Sequence, residues 1–319
     1  EAAPERRGRA RRRWPSWTAA ALVALWAVVR LGGLETGWFL TQLMTFTPPA
    51  VALSGLLVVL LAFRNRPAAV VALVSCVALA SAVVPRAFRP ASAASGSPLR
   101  VLTINLFGRA DAGAVVDLVR TYRPDVFSAL ELTPGMVTAL DAAGLGALMP
   151  HRVLQADSGP KGSGLYARHP VSPLEGLFTP IGHNMPAATV SLPGGARAQV
   201  VAVHPNPPLT SRAAEWNDAL HALPPPSAEV VRVLAGDFNA SLDHRALRDL
   251  LDRGYVDAAA QAGKGLVPTW PNNRRIPPLI TIDHVLADRR AGVGRVEILD
   301  VPGTDHRGVF AELRLPTRP

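Results

Sequence analysis

Val233-Leu234-Ala235-Gly236-Asp237-Phe238-Asn239-Ala240 carries the organising pattern of this chain: a short apolar run that stops at a glycine and is followed at once by a carboxylate and an amide. A run this short, bounded by Gly, Asp and Asn, reads as a strand with a turn at its exit. Its polar residues then stand where a sheet scaffold mounts reactive side chains.

The same grammar repeats on both sides. Asn105 ends the run Val101–Leu106, Glu131 follows Val126–Leu130, and His204 follows Ala198–Val203. Asp237 and Asn239 close Val230–Ala235, Asp283 and His284 lie within Ile280–Leu286, and Asp305-His306 precedes Val309–Leu315. Helical stretches such as Ala112–Tyr122, Ser211–Leu220 and Asp243–Asp252 alternate with these runs. The alternation predicts an α/β domain over residues 99–319, large enough to bury a full core. Taken singly, the polar residues have ordinary explanations, because Asn and Gly-Asp-x-Asn populate turns freely and a lone Glu is usually solvated. Their joint order is what argues for a site.

That order resembles the endonuclease/exonuclease/phosphatase family, the metal-dependent phosphohydrolases related to deoxyribonuclease I, neutral sphingomyelinases and inositol polyphosphate 5-phosphatases. The elements that carry the resemblance are Thr103-Ile104-Asn105, Asp125 to Glu131, Gly164 to Val171 and the His204 strand, followed by Gly236-Asp237-Phe238-Asn239, Thr269-Trp270-Pro271, Ile282-Asp283-His284 and Thr304-Asp305-His306. The resemblance implies a four-layer α/β sandwich, two packed β-sheets flanked by helices. It also implies roles. Glu131 would hold a divalent cation, Mg²⁺ or Mn²⁺, with Asn105 and Asp305 nearby, and Asp237 would orient and deprotonate the attacking water with Asn239 beside it. His306, oriented by Asp283, and His204 opposite it would contact phosphoryl oxygens. Where the family often has Ser before the terminal Asp-His, this chain has Thr304, which retains a hydroxyl. His169 reads as structural and His284 as a neighbour supporting the site, whereas His151, His183, His221 and His244 are expected at the surface.

Composition narrows the classes. The chain has 319 residues, 49% hydrophobic and 18% charged, which excludes disorder, collagen and a disulfide scaffold. Its one cysteine, Cys76, cannot form an intrachain disulfide or a cysteine zinc site, so any metal must use oxygen or imidazole ligands. The net charge of +9 is unevenly spread: residues 1–95 carry 11 Arg against 3 Glu, a net +8, leaving +1 for residues 96–319. A nucleic-acid enzyme is expected to be basic in its working domain, so this distribution disfavours DNA. Abundant Ala, Arg and Pro with only two lysines, Lys161 and Lys264, fit a high-GC bacterial coding sequence.

The basicity lies ahead of apolar segments. Residues 1–13 hold an Arg cluster, and residues 14–85 hold charge-free runs at Trp14–Val29, Phe46–Phe63 and Pro67–Pro85 that are expected as three transmembrane helices. The Arg cluster and the Arg64/Arg66 turn predict a cytoplasmic N-terminus and an extracytoplasmic domain. Residues 86–98, rich in Pro, Ser and Ala, are expected as a linker. This plan is similar to that of membrane-bound bacterial members of the family, including the VanJ-type teicoplanin-resistance proteins. A domain tethered to the bilayer meets lipid head groups at high effective concentration, so a lipid-linked phosphate is the favoured substrate. The alternatives are a tethered nuclease, which predicts a basic groove with aromatic platforms, and a non-catalytic binding module.

Overall fold

The computed structural model describes residues 5–89, 95–272 and 275–316, with backbone alone for 5–13. Parts of the expected N-terminal segment (1–4), of the linker (90–94) and of the domain's end (317–319) lie outside the described residues. The chain divides into two compact units, one formed by residues 1–85 with the short segment Asp243–Arg245, the other by the remainder from Arg86.

The first unit is helical: α1 (Glu5–Gly32), α2 (Gly37–Met44), α3 (Thr47–Arg64) and α4 (Arg66–Val83). Pro48 and Pro67 sit in the first turns of α3 and α4, where a missing N–H costs nothing. Three stretches, Trp14–Gly32, Thr47–Arg64 and Arg66–Ala87, are long and apolar enough to cross a membrane. Ala20, Leu61, Ala68, Ala69 and Ala72 form the buried seam between them, and small residues there let helix backbones approach closely. Their outward faces carry bare Leu53, Phe63 and Val74, 67%, 90% and 64% exposed. The short α2 lies ahead of the run Phe46–Phe63 and is not among the three helices expected from the sequence.

The second unit contains two six-stranded mixed sheets. The strands are β1 (Ser97–Asn105), β2 (Val126–Leu130), β3 (His151–Gln155), β4 (Ser163–Ala167), β5 (Val171–Pro173), β6 (Ala187–Ser191), β7 (Arg197–Val203), β8 (Val231–Asp237), β9 (Tyr255–Asp257), β10 (Asp283–Asp288), β11 (Gly292–Asp300) and β12 (Arg307–Leu315). One sheet runs β11-β12-β1-β2-β4-β3 and the other β5-β6-β7-β8-β10-β9. Val101, Leu130, Val200, Val233, Val285 and Val309 belong to the core cluster between the sheets. Helices α5 (Ala112–Tyr122), α6 (Pro134–Ala142) and α7 (Leu145–Leu148) cover the outside of the first sheet. Helices α8 (Ala213–Ala222) and α9 (Arg245–Asp252) cover the second, and α10 (Ala258–Gln261) follows β9. Helix, sheet, sheet and helix make the four layers that the resemblance implied.

The strongly apolar strands and α5 fall where the sequence predicts them. Six strands escape prediction: β3, β5, β9 and β11 are edges, short or of mixed exposure, and β4 and β6 are built largely of small residues that mark no apolar run. Strand β1 begins at Ser97, inside the stretch expected as linker, because Ser97 and Pro98 pair with Leu315 and Arg314.

Candidate active site

Strand direction gathers the polar residues at one end of the sandwich. Strands β1 and β2 are parallel with Asn105 beside Leu130, which places Glu131 next to Asn105. Strands β7 and β8 are parallel with Val203 beside Gly236, so His204 and Asp237 leave together. Strand β10 runs the other way and sets Asp283 directly opposite Asp237. A Cβ at residue 236 would collide with the Val203 carbonyl, so the glycine of the Gly-Asp-Phe-Asn turn is a packing requirement of the β7–β8 pair. Glu131 and Asn239 both take left-handed backbone (φ 52° and 49°), a conformation that strains L residues and clusters at functional sites.

Asn105, fully buried, is the hub. Its Nδ2 donates to Glu131 Oε1 at 3.1 Å and to Asp237 Oδ2 at 3.0 Å, while its Oδ1 accepts the Phe107 N–H at 3.0 Å. Asp237 Oδ1 accepts the Asn239 N–H at 2.8 Å, and the Asn239 amide donates to the Pro205 carbonyl at 3.1 Å. His306 Nδ1 lies 3.0 and 3.2 Å from the two oxygens of Asp283, which fixes the ring and leaves Nε2 pointing at Asp237 Oδ2, 3.7 Å away. His204 Nε2 approaches the same oxygen at 3.8 Å and Glu131 Oε1 at 3.9 Å. Asn105, Glu131, His204, Asp237, Asn239, Asp283 and His306 therefore share one cluster, and Asp305 joins at its rim with Oδ1 4.0 Å from His306 Nε2.

Burial and mutual charge push these groups apart in pKa. Burial opposes protonation of His306, yet the Asp283, Asp237 and Asp305 carboxylates outweigh it and raise the imidazole to about 10. Burial, followed by the charges of His183 and His306, drives His204 well below its ordinary value, so the two imidazoles facing Asp237 differ in charge. Burial and then the charge of Asp283 raise Asp237 to about 7, the range suited to a base working near neutrality. Burial also raises Glu131, opposed by the Asn105 hydrogen bond and the His306 charge.

A second layer holds these groups. The Thr304 hydroxyl donates to the Asn105 carbonyl at 2.7 Å and accepts the His306 N–H at 3.2 Å, a geometry open to either Ser or Thr. Thr269 Oγ1 accepts the N–H groups of Ile282 and Asp283 at 3.1 and 3.2 Å. Trp270 Nε1 donates to Asp305 Oδ2 at 3.1 Å, whereas the buried Asp305 Oδ1 has no hydrogen-bond partner among the described residues. His284 points the opposite way from Asp283, as strand alternation requires. It bonds Asp257 at 2.9 Å and the Ala240 carbonyl at 2.8 Å, and so supports the fold under the site. His169 bonds Asp125 at 3.2 Å, a structural contact.

One residue of the site departs from the sequence expectation. His183, expected at the surface, is buried, with Nδ1 3.2 Å from His204 Nδ1. It lies in the irregular segment between β5 and β6, where no apolar period marks it. When His183 donates across that contact, the neutral His204 carries its proton on Nε2, the atom that faces the cluster. His244 is also buried rather than exposed.

The donor set suits a hard cation. The unpartnered Asp305 Oδ1 and the Glu131 carboxylate are oxygen donors, while Asn105 stands beside them with its Nδ2 on Glu131 and its Oδ1 on the Phe107 N–H. Asp237, Asp283 and His306 also lie close enough to hold an ion, within 4.8 Å of one another, although the His306–Asp283 hydrogen bonds already engage Nδ1.

The sequence model of the endonuclease/exonuclease/phosphatase family matches residues 102–306, more than half of the chain, from within β1 to His306. The chain belongs to this family. Members of the endonuclease/exonuclease/phosphatase family are hydrolases acting on phosphoester bonds, and they usually use divalent metals. Solved structures agree on the fold. A family member from Beutenbergia cavernae shares 20% identity with a TM-score of 0.52, covering 70% of this chain and 72% of its own. The TDP2 of D. rerio complexed with single-strand DNA product shares 17% at 0.52, covering 68% and 99%. A mannosyl-6-phosphatase from Bacteroides thetaiotaomicron shares 15% at 0.52, covering 67% and 99%. No curated protein matches the chain by sequence.

Proposed function

We propose that this chain is a membrane-anchored, divalent-metal-dependent phosphohydrolase whose extracytoplasmic domain cleaves a phosphoester or pyrophosphate bond of a lipid-linked substrate, as a VanJ-type member of its family. The observation that carries the hydrolase reading is the buried set Asp237, Asp283–His306, His204 and Asn105–Glu131 at one end of the sandwich. A non-catalytic binder has no use for a carboxylate raised to about 7 beside an imidazole raised to about 10.

In the mechanism, Asp237 takes a proton from water as the water oxygen attacks phosphorus and the P–O bond to the leaving group breaks, the leaving oxygen departing with the bonding pair, while the Asn239 N–H holds the other carboxylate oxygen. His306, kept cationic and oriented by Asp283, donates from Nε2 to a phosphoryl oxygen as negative charge builds. Neutral His204 makes the second contact from its own Nε2. Glu131, with Asn105 and Asp305, would hold Mg²⁺ or Mn²⁺, which supplies neutralisation of phosphoryl and leaving-group charge when bound.

Three helices of membrane-spanning length on the same chain support anchoring, and basic residues ahead of the first and between the others support a cytoplasmic N-terminus. The net +1 of residues 96–319 favours a lipid phosphate over DNA. The named structural neighbours span a phosphatase and a DNA-bound protein, so the fold by itself accommodates either. The deciding experiment measures release of phosphate or phosphorylated head group by the detergent-solubilised full chain with Mg²⁺ or Mn²⁺. Its substrates are a polyprenyl pyrophosphate, sphingomyelin, a glycerophospholipid and DNA, each run beside Asp237→Ala. Lipid turnover lost in the variant is the expected result; cleavage of DNA alone would overturn the lipid reading. A reporter fused after Pro319 should be active only outside the cytoplasm.

A further inference from the structure

Large apolar side chains are not scattered over the α/β unit. Among its described residues those exposed are Phe88, on the connection from the helical unit, and Phe107, Leu209, Ile276 and Leu279, at 42%, 54%, 49% and 51%. The last four lie on loops of the active site. Phe107 follows Asn105 by two residues, Leu209 follows His204 by five, and Ile276 and Leu279 stand between Trp270 and Asp283. Sheet edges and the opposite end of the sandwich, where Glu229 precedes β8, show no exposed large apolar side chain among the described residues. Single exposed leucines are ordinary on a protein surface; confinement of all four to one rim is not.

Two of these loops carry strained backbone at or beside the tip. Phe107 itself has φ 50°, and Thr210, directly after Leu209, has φ 44°. Residues other than glycine adopt this region at a cost that surrounding structure must hold in place, so these loops present their apolar side chains by construction. Each loop also carries an exposed arginine beside its tip. The Arg109 guanidinium lies 5.5 Å from the Phe107 ring centroid, the Arg212 N–H donates to the Leu209 carbonyl at 2.9 Å, and Arg275 directly precedes Ile276.

We infer that this rim is a membrane-contacting surface: Phe107, Leu209, Ile276 and Leu279 enter the acyl region of an anionic lipid leaflet while Arg109, Arg212 and Arg275 meet its phosphates. The inference rests on the lipid-phosphate reading and extends it, because it makes the bilayer surface, rather than a lipid drawn free into solution, the form in which the substrate meets the site. Apolar tips flanked by arginines match the acyl and phosphate layers of an interface. Three membrane-length helices on the same chain provide the bilayer. A nucleic acid would want successive stacking platforms, and of these four residues Phe107 alone is aromatic.

The test uses the full chain in vesicles of phosphatidylcholine and phosphatidylglycerol brominated on the acyl chains. A Cys76→Ser background carries one environment-sensitive fluorophore at a time, on Phe107→Cys, Leu209→Cys, Ile276→Cys, Glu229→Cys or Val74→Cys. The rim positions should shift to the blue and lose emission to the bromines while Glu229→Cys does neither. Rim probes that behave like Glu229→Cys, whether all remain bright or all are quenched, would overturn the inference. Val74→Cys, on the exposed face of α4, separates the failures: if it is quenched while the rim stays bright, the anchor stands and only the rim reading falls.

Discussion

Asp283→Asn removes one charge from the site and keeps the shape of the side chain. His306 Nδ1 lies 3.0 and 3.2 Å from the Asp283 oxygens, and the two side chains are 7% and 2% exposed, so solvent screens the pair little. Raising His306 from 6.5 to about 10, against the opposing effect of burial, corresponds to roughly 5 kcal/mol in favour of the imidazolium at about 1.4 kcal/mol per pH unit. Asp283 is first among the three carboxylates responsible; with about half of that effect assigned to it, the variant loses roughly 2–3 kcal/mol, or about two pH units. The sign follows from the protonated form being the active one. Activity that needs the His306 cation is full below its pKa and disappears as pH rises through it. The wild-type alkaline limb is therefore expected near pH 10 and the variant's about two units lower. Between the two limbs the variant's kcat should fall about tenfold for each pH unit above its own limb, as the imidazolium is lost. The assay is the pH dependence of kcat for purified full-length protein on whichever substrate it turns over, with thermal unfolding recorded beside it. An alkaline limb that stays in place, with kcat within about twofold of wild type, would refute both the charge assignment and the role of His306.

Asp237→Ala should abolish turnover while the protein remains folded by circular dichroism. In the wild type, where Asp237 is raised to about 7, turnover should decline as pH falls through that value and its carboxylate takes up a proton. Glu131→Ala should raise the Mg²⁺ or Mn²⁺ concentration for half-maximal activity by at least about tenfold, a loss seen even when an outer partner of a metal ligand is removed; an unchanged titration would take Glu131 out of the metal set. Thr304→Ser should behave as wild type, whereas Thr304→Ala, which strands the buried Asn105 carbonyl and His306 N–H, should cost about 2–4 kcal/mol in denaturant unfolding. Asp257→Ala removes both the buried partner of His284 and the side-chain cap on the Ala260 N–H, and should destabilise by about 3–5 kcal/mol.

How much of the site could be read in advance depended on where each residue stood. Asn105, Glu131, Asp237 and His306 abut strands whose apolar runs are unambiguous, so position along the chain was enough to single them out. His183 had no such flank, and nothing in Ile181-Gly182-His183-Asn184 foretells that the segment folds back to bury its imidazole against His204. The rim had the same fate: Leu209 and Ile276 are unremarkable in sequence, and their exposure follows from how the loops leave the sandwich.

Sequence alone determined what is local and periodic. Runs of the length and hydropathy of buried strands, charge-free segments long enough to span a bilayer, and polar residues at the exits of runs are written residue by residue, because burial period and span length are properties of contiguous chain. Tertiary structure decided what depends on distance between remote segments. Only the register of β8 against β10 sets Asp283 opposite Asp237, and only the packing of one sheet on the other brings Asn105 within hydrogen-bond reach of Asp237. The charges of these groups belong to that second category. Desolvation and Coulomb energy depend on what surrounds a group in space, so the ordinary values of Asp and His become about 7 and about 10 only after the sandwich has closed around them.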